Sequence, residues 1–204
     1  MNHTPPSFKY SSHCIVIACG GQGTRMGGDK PWRALGGKAL VERVADWALA
    51  QSDCVALALR DRHQAPALEL PVVLDRHSGI GPITALASAF DFAETKACDY
   101  VLMVGCDQPF LPTDLLSHLG SEIGNAAAAV PVSNGREQPM ATLWRTDSES
   151  LAKYIDDGGQ SLRRFAKDVG AKFVDWDADE DPFFNANDQH ALALAERRLK
   201  SAVR

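Results

Sequence analysis

The sequence lacks three features that would each indicate a particular class of protein. It has no uninterrupted apolar run long enough to span a bilayer, which argues against a membrane protein. It has no block of lysine and arginine, and its formal net charge is -5, so it offers no positive surface for nucleic acid. Its five cysteines are scattered and form neither CxxC pairs nor the close, even spacing of a disulfide framework. We therefore expect a cytoplasmic protein with reduced thiols, no membrane attachment and no nucleic-acid partner.

The chain also has little that would divide it into separate domains. Its 204 residues fit one large domain, and they contain no internal repeat and no low-complexity segment. The first residues, "MNHTPPSFKYSSH", contain no apolar stretch of signal-peptide length. We expect residues 1–12 to form a disordered lead-in, residues 13–204 to form a single domain, and the protein to be a monomer.

What the sequence does contain is an alternation of apolar, β-rich runs with segments of helical periodicity. This alternation predicts an α/β protein with a mostly parallel sheet flanked by helices in three layers. The predicted strands are His13–Cys19, Cys54–Leu59, Pro71–Leu74, Asp99–Gly105, Ala126–Val132, Met140–Arg145 and Lys172–Trp176. The predicted helices are Lys38–Gln51, Gly81–Glu94, Pro112–Ile123, Asp147–Ile155, Ser161–Val169 and Asn187–Lys200. Because such sheets bind ligands at the carboxyl ends of their strands, we expect the site at residues 18–30, 75–82 and 105–112.

The stretch Cys19–Lys30, "CGGQGTRMGGDK", directly follows the first predicted strand and contains five glycines. Three of these glycines come at its start, where they permit positive φ angles and let backbone N–H groups converge on an anion. Arg25 and Lys30 add positive charge, and this combination suits a polyphosphate. The alternative is a flexible surface loop with incidental charges.

Two common phosphate-binding motifs do not fit this loop. The Walker A spacing fails because Lys30 is followed by Pro31 and not by a hydroxyl residue that could reach magnesium. The dinucleotide-binding pattern GxGxxG is matched only in its first part, since Met26 occupies the position of the final glycine. The loop therefore belongs to neither of these motifs.

Two aspartates follow other predicted strands. Asp107 lies in "VGCDQPFLP", after the most strongly apolar strand, and its carboxylate is the hard oxygen donor that Mg²⁺ prefers. The alternative for Asp107 is a cap for the helix that begins near Pro112, although "QPFL" separates the two. Asp75 ends the strand "PVVL" in the same way. We expect both carboxylates at the ligand-binding edge of the sheet.

The glycine-rich loop is similar to the motif GGxGxRMGGxDK of the nucleotidyltransferase superfamily, and within it to the molybdenum cofactor guanylyltransferases. "VGCDQPFLP" and "RHSGIGPITAL" resemble the CDxPxLP and D…GPLAGL blocks of that family, while "GGQSLRRF" and "DPFFNANDQHAL" resemble two of its later blocks. Together these segments cover residues 14–195 in the family's order. The chain departs from the family pattern at Gly28, which directly precedes Asp29, at Arg60, Thr84 and Ala85, and at Gln138.

The resemblance implies a Rossmann-like nucleotidyltransferase fold and assigns roles to individual residues. Arg25, Lys30 and Asp107 are implied to be catalytic, with Asp107 also holding Mg²⁺. The implied nucleotide-binding residues are Ala18, Cys19, Gly20, Gly21, Lys30, Asp75 and Asp107. The implied substrate-binding residues are Arg163, Asn185 and Asn187. The alternatives are that Asn187 only caps the last helix and that Arg163 only decorates a helix surface.

The resemblance also implies a reaction. GMP is transferred from GTP to molybdopterin or molybdenum-loaded molybdopterin, giving molybdopterin guanine dinucleotide and pyrophosphate, and molybdoenzyme maturation proteins are implied as further partners. Within this chemistry the alternatives are a cytidylyltransferase, whose relatives usually read AAG where this chain has Cys19-Gly20-Gly21, and a sugar-phosphate nucleotidyltransferase. The alternative of another class is a non-catalytic nucleotide-binding module, which the presence of Arg25 and Lys30 disfavours.

Overall fold

The computed structural model describes residues 12–19, 32–61, 68–75 and 81–202 of the chain. The glycine-rich loop after Cys19, with Gly20, Gly21, Arg25 and Lys30, lies outside the described residues, as do residues 1–11 of the expected lead-in. Ser12 is described, and its hydroxyl donates hydrogen bonds to the Ala97 carbonyl and the Asp99 carboxylate. The division into a lead-in and a single domain stays a prediction.

Strands and helices alternate along most of the chain. The strands are β1 His13–Ala18, β2 Ala34–Leu35, β3 Lys38–Ala39, β4 Val55–Leu59, β5 Val72–Leu74, β6 Tyr100–Gly105, β7 Ala128–Ser133, β8 Arg136–Glu137, β9 Ala141–Arg145 and β10 Lys172–Trp176. The helices are α1 Leu40–Leu49, α2 Ile83–Thr95, α3 Leu115–Glu122, α4 Ser148–Asp156, α5 Leu162–Asp168 and α6 Gln189–Ala202.

Eight of the described strands form one sheet, in the order β10-β7-β9-β6-β1-β4-β5, with β8 paired to β7. Neighbours are parallel from β6 through β1 and β4 to β5, and β10 is parallel to β7. Strand β9 runs antiparallel to both β6 and β7. It follows that β7 and β10 point in the same direction as β6, so six strands end at one edge of the sheet.

Both faces of the sheet are covered by helices, because the central strands are apolar on both sides. Along β1, Ile15 and Ile17 pack with the buried faces of α1 and α3, while Cys14 and Val16 pack with those of α2, α4 and α5. Burial on two faces explains why β1, β4 and β6 are continuous apolar runs and not alternating ones. The predicted α/β architecture, a mostly parallel sheet flanked by helices in three layers, is confirmed.

The structure differs from the sequence prediction in three local features. Helix α1 begins at Leu40 and not at Lys38, because Gly36 and Gly37, at φ 58° and 79°, turn the chain into the short hairpin β2–β3. Strand β8 was not expected, although Asn134 and Gly135 at positive φ make the two-residue turn typical of such a hairpin. Helix α3 begins three residues after Pro112, which lies in a turn before it.

Helix α6 returns to the hairpin β2–β3. Ala195 of α6 packs with Leu35 and Leu40, and the Glu196 carboxylate accepts a 2.7 Å hydrogen bond from the Gly36 N–H. Ala186, which precedes the helix, belongs to the same small apolar cluster. Phe110, which follows β6 in the chain, packs against the same cluster, so the segment before α6 lies beside the edge at which β6 ends. None of the helices within the described ranges is long and apolar enough to cross a membrane.

Candidate active site

Four neighbouring parallel strands bring the predicted nucleotide-binding segments to one edge. Ala18, the last residue of β1, lies opposite Gly105 of β6 and Ala58 of β4. The Asp75 N–H donates to the Leu59 carbonyl at 2.9 Å, which fixes the end of β5 beside the end of β4. The glycine-rich loop departs from the end of β1, between the strands that carry the two aspartates. Those strands lie three spacings apart, about 14 Å.

Ala18 and Cys19 occupy the centre of this edge but turn their side chains away from it. Ala18 is 5% exposed and packs with the α2 side of the core, whereas Cys19 is 8% exposed and packs with the α1 side. The Cys19 N–H already donates to the Ala58 carbonyl at 2.9 Å. Any contact of these two residues with a nucleotide is therefore made by their remaining backbone atoms.

Asp107 lies in the turn that follows β6. A Cβ atom built on Gly105 would stand only 2.7 Å from Asp107 Oδ1, so the carboxylate lies over the space that glycine leaves open. Gln108 is 1% exposed, and its Oε1 accepts a 3.0 Å hydrogen bond from the Gly105 N–H. This bond holds the turn that contains Asp107. Helix α3 begins only at Leu115, so the alternative that Asp107 caps this helix is wrong.

The segment before α6 is bonded directly to Asp107. The Ala186 N–H donates to the Asp107 carbonyl at 2.8 Å, which places Asn185 and Asn187 on either side of this contact. Asn185 donates from Nδ2 to the Phe183 carbonyl at 3.0 Å. The structure thus brings two of the three predicted substrate residues, Asn185 and Asn187, beside the predicted metal ligand.

The cap of helix α6 is supplied by the residue after Asn187. Asp188 accepts a 2.8 Å hydrogen bond from the Ala191 N–H through Oδ1, as an N-cap side chain does. The alternative that Asn187 caps this helix is therefore wrong. Asn187 is exposed, and its proximity to Asp107 follows from the backbone contact of Ala186.

Among the described residues, two hydroxyl groups and one cation act on the Asp75 carboxylate. Ser88 Oγ lies 3.2 Å from Asp75 Oδ1, and Thr84 Oγ1 lies 3.4 Å from Oδ2. Burial raises the pKa of the Asp75 carboxyl above its ordinary value, while the Ser88 and Thr84 hydroxyls and the positive charge of Arg60 act in the opposite direction. Asp75 is thus a partly buried carboxylate whose ionised form depends on these neighbours.

Arg163 lies on α5 and forms an ion pair with Glu137 of strand β8. Arg163 Nε lies 2.7 Å from Glu137 Oε2, and Lys167 Nζ lies 2.9 Å from Oε1 of the same carboxylate. The Arg163 side chain is still 56% exposed. Since β8 follows the carboxyl end of β7, this pair of cations lies at the same edge of the sheet as the two aspartates, on the far side of β6.

The carboxylate of Asp107 is an oxygen donor of the type that a divalent metal ion uses. Within the described ranges, no group of three or more histidine, cysteine, aspartate or glutamate side chains is arranged to hold a metal. Mg²⁺ is commonly bound by one or two carboxylates together with phosphate oxygens and water, and Asp107 can supply such a carboxylate. A protein site of this kind needs no cage of side chains.

Sequence reasoning missed three residues of this region: Arg60, Ser88 and Gln108. Arg60 directly follows a predicted strand, and that position was a usable signal. Ser88 and Gln108 gave no signal of their own, because serine in a helix and glutamine in a loop are ordinarily solvent-facing. Their burial depends on tertiary contacts.

Comparison with known proteins agrees with this geometry. The MobA-like NTP transferase domain matches residues 15–173. A molybdenum cofactor guanylyltransferase of Rhodopseudomonas palustris is 34% identical over 94% of this chain and 96% of its own length, and one of Rhodobacter capsulatus is 36% identical over 91% and 95%. The crystal structure of molybdopterin-guanine dinucleotide biosynthesis protein A from Archaeoglobus fulgidus superposes with a TM-score of 0.77 at 22% identity, over 92% of this chain and 98% of that one.

The family model spans the strands and helices that form the edge described above, and the two curated relatives match nearly the whole chain. The family resemblance read from the glycine-rich loop and its companion blocks is confirmed. The chain therefore belongs to the MobA-like NTP transferase family and is a nucleotidyltransferase, similar over most of its length to molybdenum cofactor guanylyltransferases.

Proposed function

We propose that this enzyme transfers GMP from GTP to molybdopterin, bare or molybdenum-loaded, and releases pyrophosphate in a magnesium-dependent reaction. The observation that carries the proposal is the position of Asp75 and Asp107 on either side of the strand from which the glycine-rich loop departs. The names of the curated relatives supply the substrate class.

The nucleoside is assigned to the side of the edge near Asp75, and the phosphates to the side near Asp107. A carboxylate accepts hydrogen bonds, and a nucleoside presents the donors of its ribose and base. Arg25 and Lys30 from the glycine-rich loop provide the positive charge that a triphosphate requires. The GTP molecule therefore extends across the ends of β5, β4, β1 and β6.

In the transfer step, the terminal phosphate oxygen of the pterin attacks the α-phosphorus of GTP, and the bond to the departing pyrophosphate breaks. The nucleophile is already anionic, so the protein needs to supply position and charge rather than a strong base. Arg25 and Lys30 offset the charge that develops on the phosphates, and Asp107 would hold Mg²⁺. When bound, the metal ion neutralises phosphate charge and aligns the phosphates for displacement.

The pterin substrate is assigned to the part of the edge beyond Asp107. Asn185 and Asn187 flank the backbone contact to Asp107, and Arg163 is the more distant candidate for its phosphate. The Glu137 carboxylate that now pairs with Arg163 occupies the position of an anion between two cations. A pterin phosphate is an anion of the kind that such a pair can bind.

The test is a reaction of the purified enzyme with GTP, Mg²⁺ and molybdenum-loaded molybdopterin, measuring pyrophosphate and the dinucleotide product. Lys30→Ala and Asp107→Ala should each abolish turnover while leaving the unfolding transition unchanged. Calorimetric binding of GTP and CTP, each with Mg²⁺, separates a guanylyltransferase from a cytidylyltransferase. Full activity in either variant contradicts the assigned site, and no product with any nucleotide would favour a non-catalytic binding module.

We further place the reaction in the cytoplasm, with the enzyme acting as a monomer and passing its product to molybdoenzyme maturation proteins. The five cysteines are all free thiols, and four of them are buried, which suits a reducing compartment. Size-exclusion chromatography with light scattering measures the oligomeric state directly. A stable dimer contradicts that part of the proposal.

A further inference from the structure

Two buried hydroxyl groups of helix α2 face the carboxylate of Asp75. Ser88 is 1% exposed and Thr84 is 3% exposed, so neither hydroxyl can rely on bulk water for its hydrogen bonds. The two hydroxyls approach different oxygens of Asp75: Ser88 Oγ lies 3.2 Å from Oδ1, and Thr84 Oγ1 lies 3.4 Å from Oδ2. Both carboxylate oxygens are therefore contacted from the helix side.

The Ser88 hydroxyl has a choice of acceptors. Besides Asp75, the Thr84 carbonyl at 3.2 Å and the Leu74 carbonyl at 3.3 Å lie within reach of its single proton. An ionised carboxylate is a stronger acceptor than a neutral carbonyl, so the Asp75 bond is favoured whenever this residue is charged. Ser88 thus responds to the ionisation state of Asp75.

The Thr84 hydroxyl is the weaker of the two partners. Its distance to the Gly81 carbonyl is 2.8 Å, which is shorter than its 3.4 Å distance to Asp75. The Thr84 hydroxyl therefore donates its proton mainly to the Gly81 carbonyl. We therefore rank Ser88 above Thr84 in any effect on the carboxylate.

We propose that Ser88, assisted by Thr84, is a positioning residue that holds the Asp75 carboxylate in the orientation in which it accepts hydrogen bonds from the nucleoside of GTP. This inference rests on the proposed function, because it takes Asp75 as a nucleotide contact. The backbone bond from the Asp75 N–H to the Leu59 carbonyl fixes the main chain, and the side chain is then oriented by the hydroxyls.

The environment of Asp75 favours its protonated form, so hydrogen bonds to the ionised carboxylate are needed to oppose this effect. Burial raises the pKa of the Asp75 carboxyl, and a protonated carboxyl loses one acceptor. Arg60 at the end of β4 opposes this effect, while strand β5 and the first two turns of α2, residues 83–90, contain no titratable side chain. The hydroxyls of α2 are thus the contribution of that helix to the charged state of Asp75.

The test compares the wild type and five variants in calorimetric GTP binding between about pH 5 and about pH 8, together with ¹³C NMR titration of the Asp75 carboxyl in the proteins that retain it. Ser88→Ala should weaken GTP binding about fivefold to tenfold at neutral pH, because a hydrogen bond to a charged group is lost. It should also raise the pKa of Asp75, so the loss of binding should grow toward lower pH. Thr84→Val should have a smaller effect in the same direction.

Kinetics separate positioning from a general structural role. Ser88→Ala should raise the KM for GTP and leave kcat at saturating GTP unchanged, because the reacting phosphates lie on the other side of the edge. Ser88→Cys keeps the size of the side chain with a weaker donor and should fall between serine and alanine. If Ser88→Ala proves too unstable to measure, GTP binding and the pKa of Asp75 are compared with the wild type in Ser88→Cys and Thr84→Val instead.

The matched control is Thr146→Val, which removes a threonine hydroxyl that donates to the Cys98 carbonyl at the opposite edge of the sheet. It should bind GTP as the wild type does.

Asp75→Asn distinguishes the role of Asp75 as a nucleotide contact from the role of Ser88 in positioning it. If Asp75→Asn binds GTP normally, the assignment of Asp75 as a nucleotide contact is overturned. If Asp75→Asn is weak but Ser88→Ala binds normally and leaves the pKa of Asp75 unchanged, the positioning role alone is overturned.

Discussion

At the scale of single residues, Gly105 is required by its neighbour and not by its own backbone. Its φ is not in the left-handed region, so an L side chain is permitted there by the main chain. The obstacle is Asp107 Oδ1, which lies 2.7 Å from the position of an added Cβ. An added Cβ and the carboxylate cannot share this space, so the carboxylate must move, and Gln108 Oε1, 3.2 Å from the same position, must shift slightly.

We predict that Gly105→Ala lowers turnover by roughly tenfold or more, because misplacement of a positioning group by about 1 Å can cost that much or more. The free energy of unfolding should change by less than about 1 kcal/mol, since the backbone conformation suits alanine. The measurements are steady-state kinetics against Mg²⁺ concentration and denaturant unfolding. Unchanged turnover in Gly105→Ala would show that the space above this glycine does not set the position of Asp107.

Asp75 offers a prediction about stability. Because the pKa of Asp75 is raised, the folded state binds a proton more tightly than the unfolded state does. The difference matters at pH values between the ordinary pKa, near 3.8, and the raised pKa of the folded protein. In that window the stability contributed by Asp75 falls as pH rises, and above it the carboxylate is a constant cost. Asp75→Asn should therefore be more stable than the wild type at neutral pH, with the difference shrinking as pH falls toward 3.8. Thermal unfolding of both proteins over this pH range measures it, and a variant less stable at neutral pH contradicts the sign.

At the scale of elements, one face of helix α5 packs on the core, and another face lies near the edge of the sheet that carries the candidate site. Ser161 caps it by accepting from the Arg164 N–H, and Phe165 stacks on Trp144 with ring centroids 5.6 Å apart. These anchors leave Arg163 and Lys167 facing Glu137. The helix therefore presents two cations in a fixed position.

We predict that Arg163→Ala raises the KM for the pterin substrate several-fold and leaves GTP binding unchanged. Arg164→Ala is the matched control, because Arg164 is equally a surface arginine of α5 but pairs only loosely with Asp168, at 3.6 Å. It should leave both values unchanged, and exposed pairs of this kind contribute about 0–1 kcal/mol to stability. Equal effects of the two substitutions on the pterin KM would exclude a specific role for Arg163.

The elements that sequence predicts well are those whose burial is set by the sheet itself. Strands β1 and β6 are buried on both faces, so their apolar runs are unambiguous. The edge strand β10 is mostly exposed, and it was nevertheless predicted with its observed bounds. The two-residue strands β2, β3 and β8 are too short to produce a periodic pattern. The antiparallel direction of β9 leaves no trace in its residues, because direction is decided by the connections on either side.

The site could be predicted only in part, for a related reason. Asp75 and Asp107 stand at strand ends, and that position alone predicts a shared edge. The hydroxyl of Ser88 and the amide of Gln108 act through partners that only the folded chain brings near. Asn187 and Asp188 are adjacent residues of equal capping ability, so the choice of Asp188 as the cap is made by the geometry of the segment bonded to Asp107.

At the scale of the whole molecule, one long edge of the sheet carries the residues that we assign to both substrates. The parallel strands β5, β4, β1 and β6 end at the part of this edge to which we assign the nucleotide, and β9 reverses direction between β6 and β7. Beyond this reversal, the β8 hairpin, α5 and the segment before α6 supply the residues assigned to the pterin. Under the proposed function, the reversal separates the two substrate regions, and Asp107 lies at the boundary between them.

The most direct test of this arrangement is a crystal structure of the enzyme with GTP and Mg²⁺. We predict that the nucleoside contacts Asp75, that the phosphates lie beside Asp107 and within the glycine-rich loop after Cys19, and that the region near Arg163 is left for the second substrate. Phosphates bound at the opposite edge of the sheet, or a nucleoside placed beside Arg163, would contradict the account.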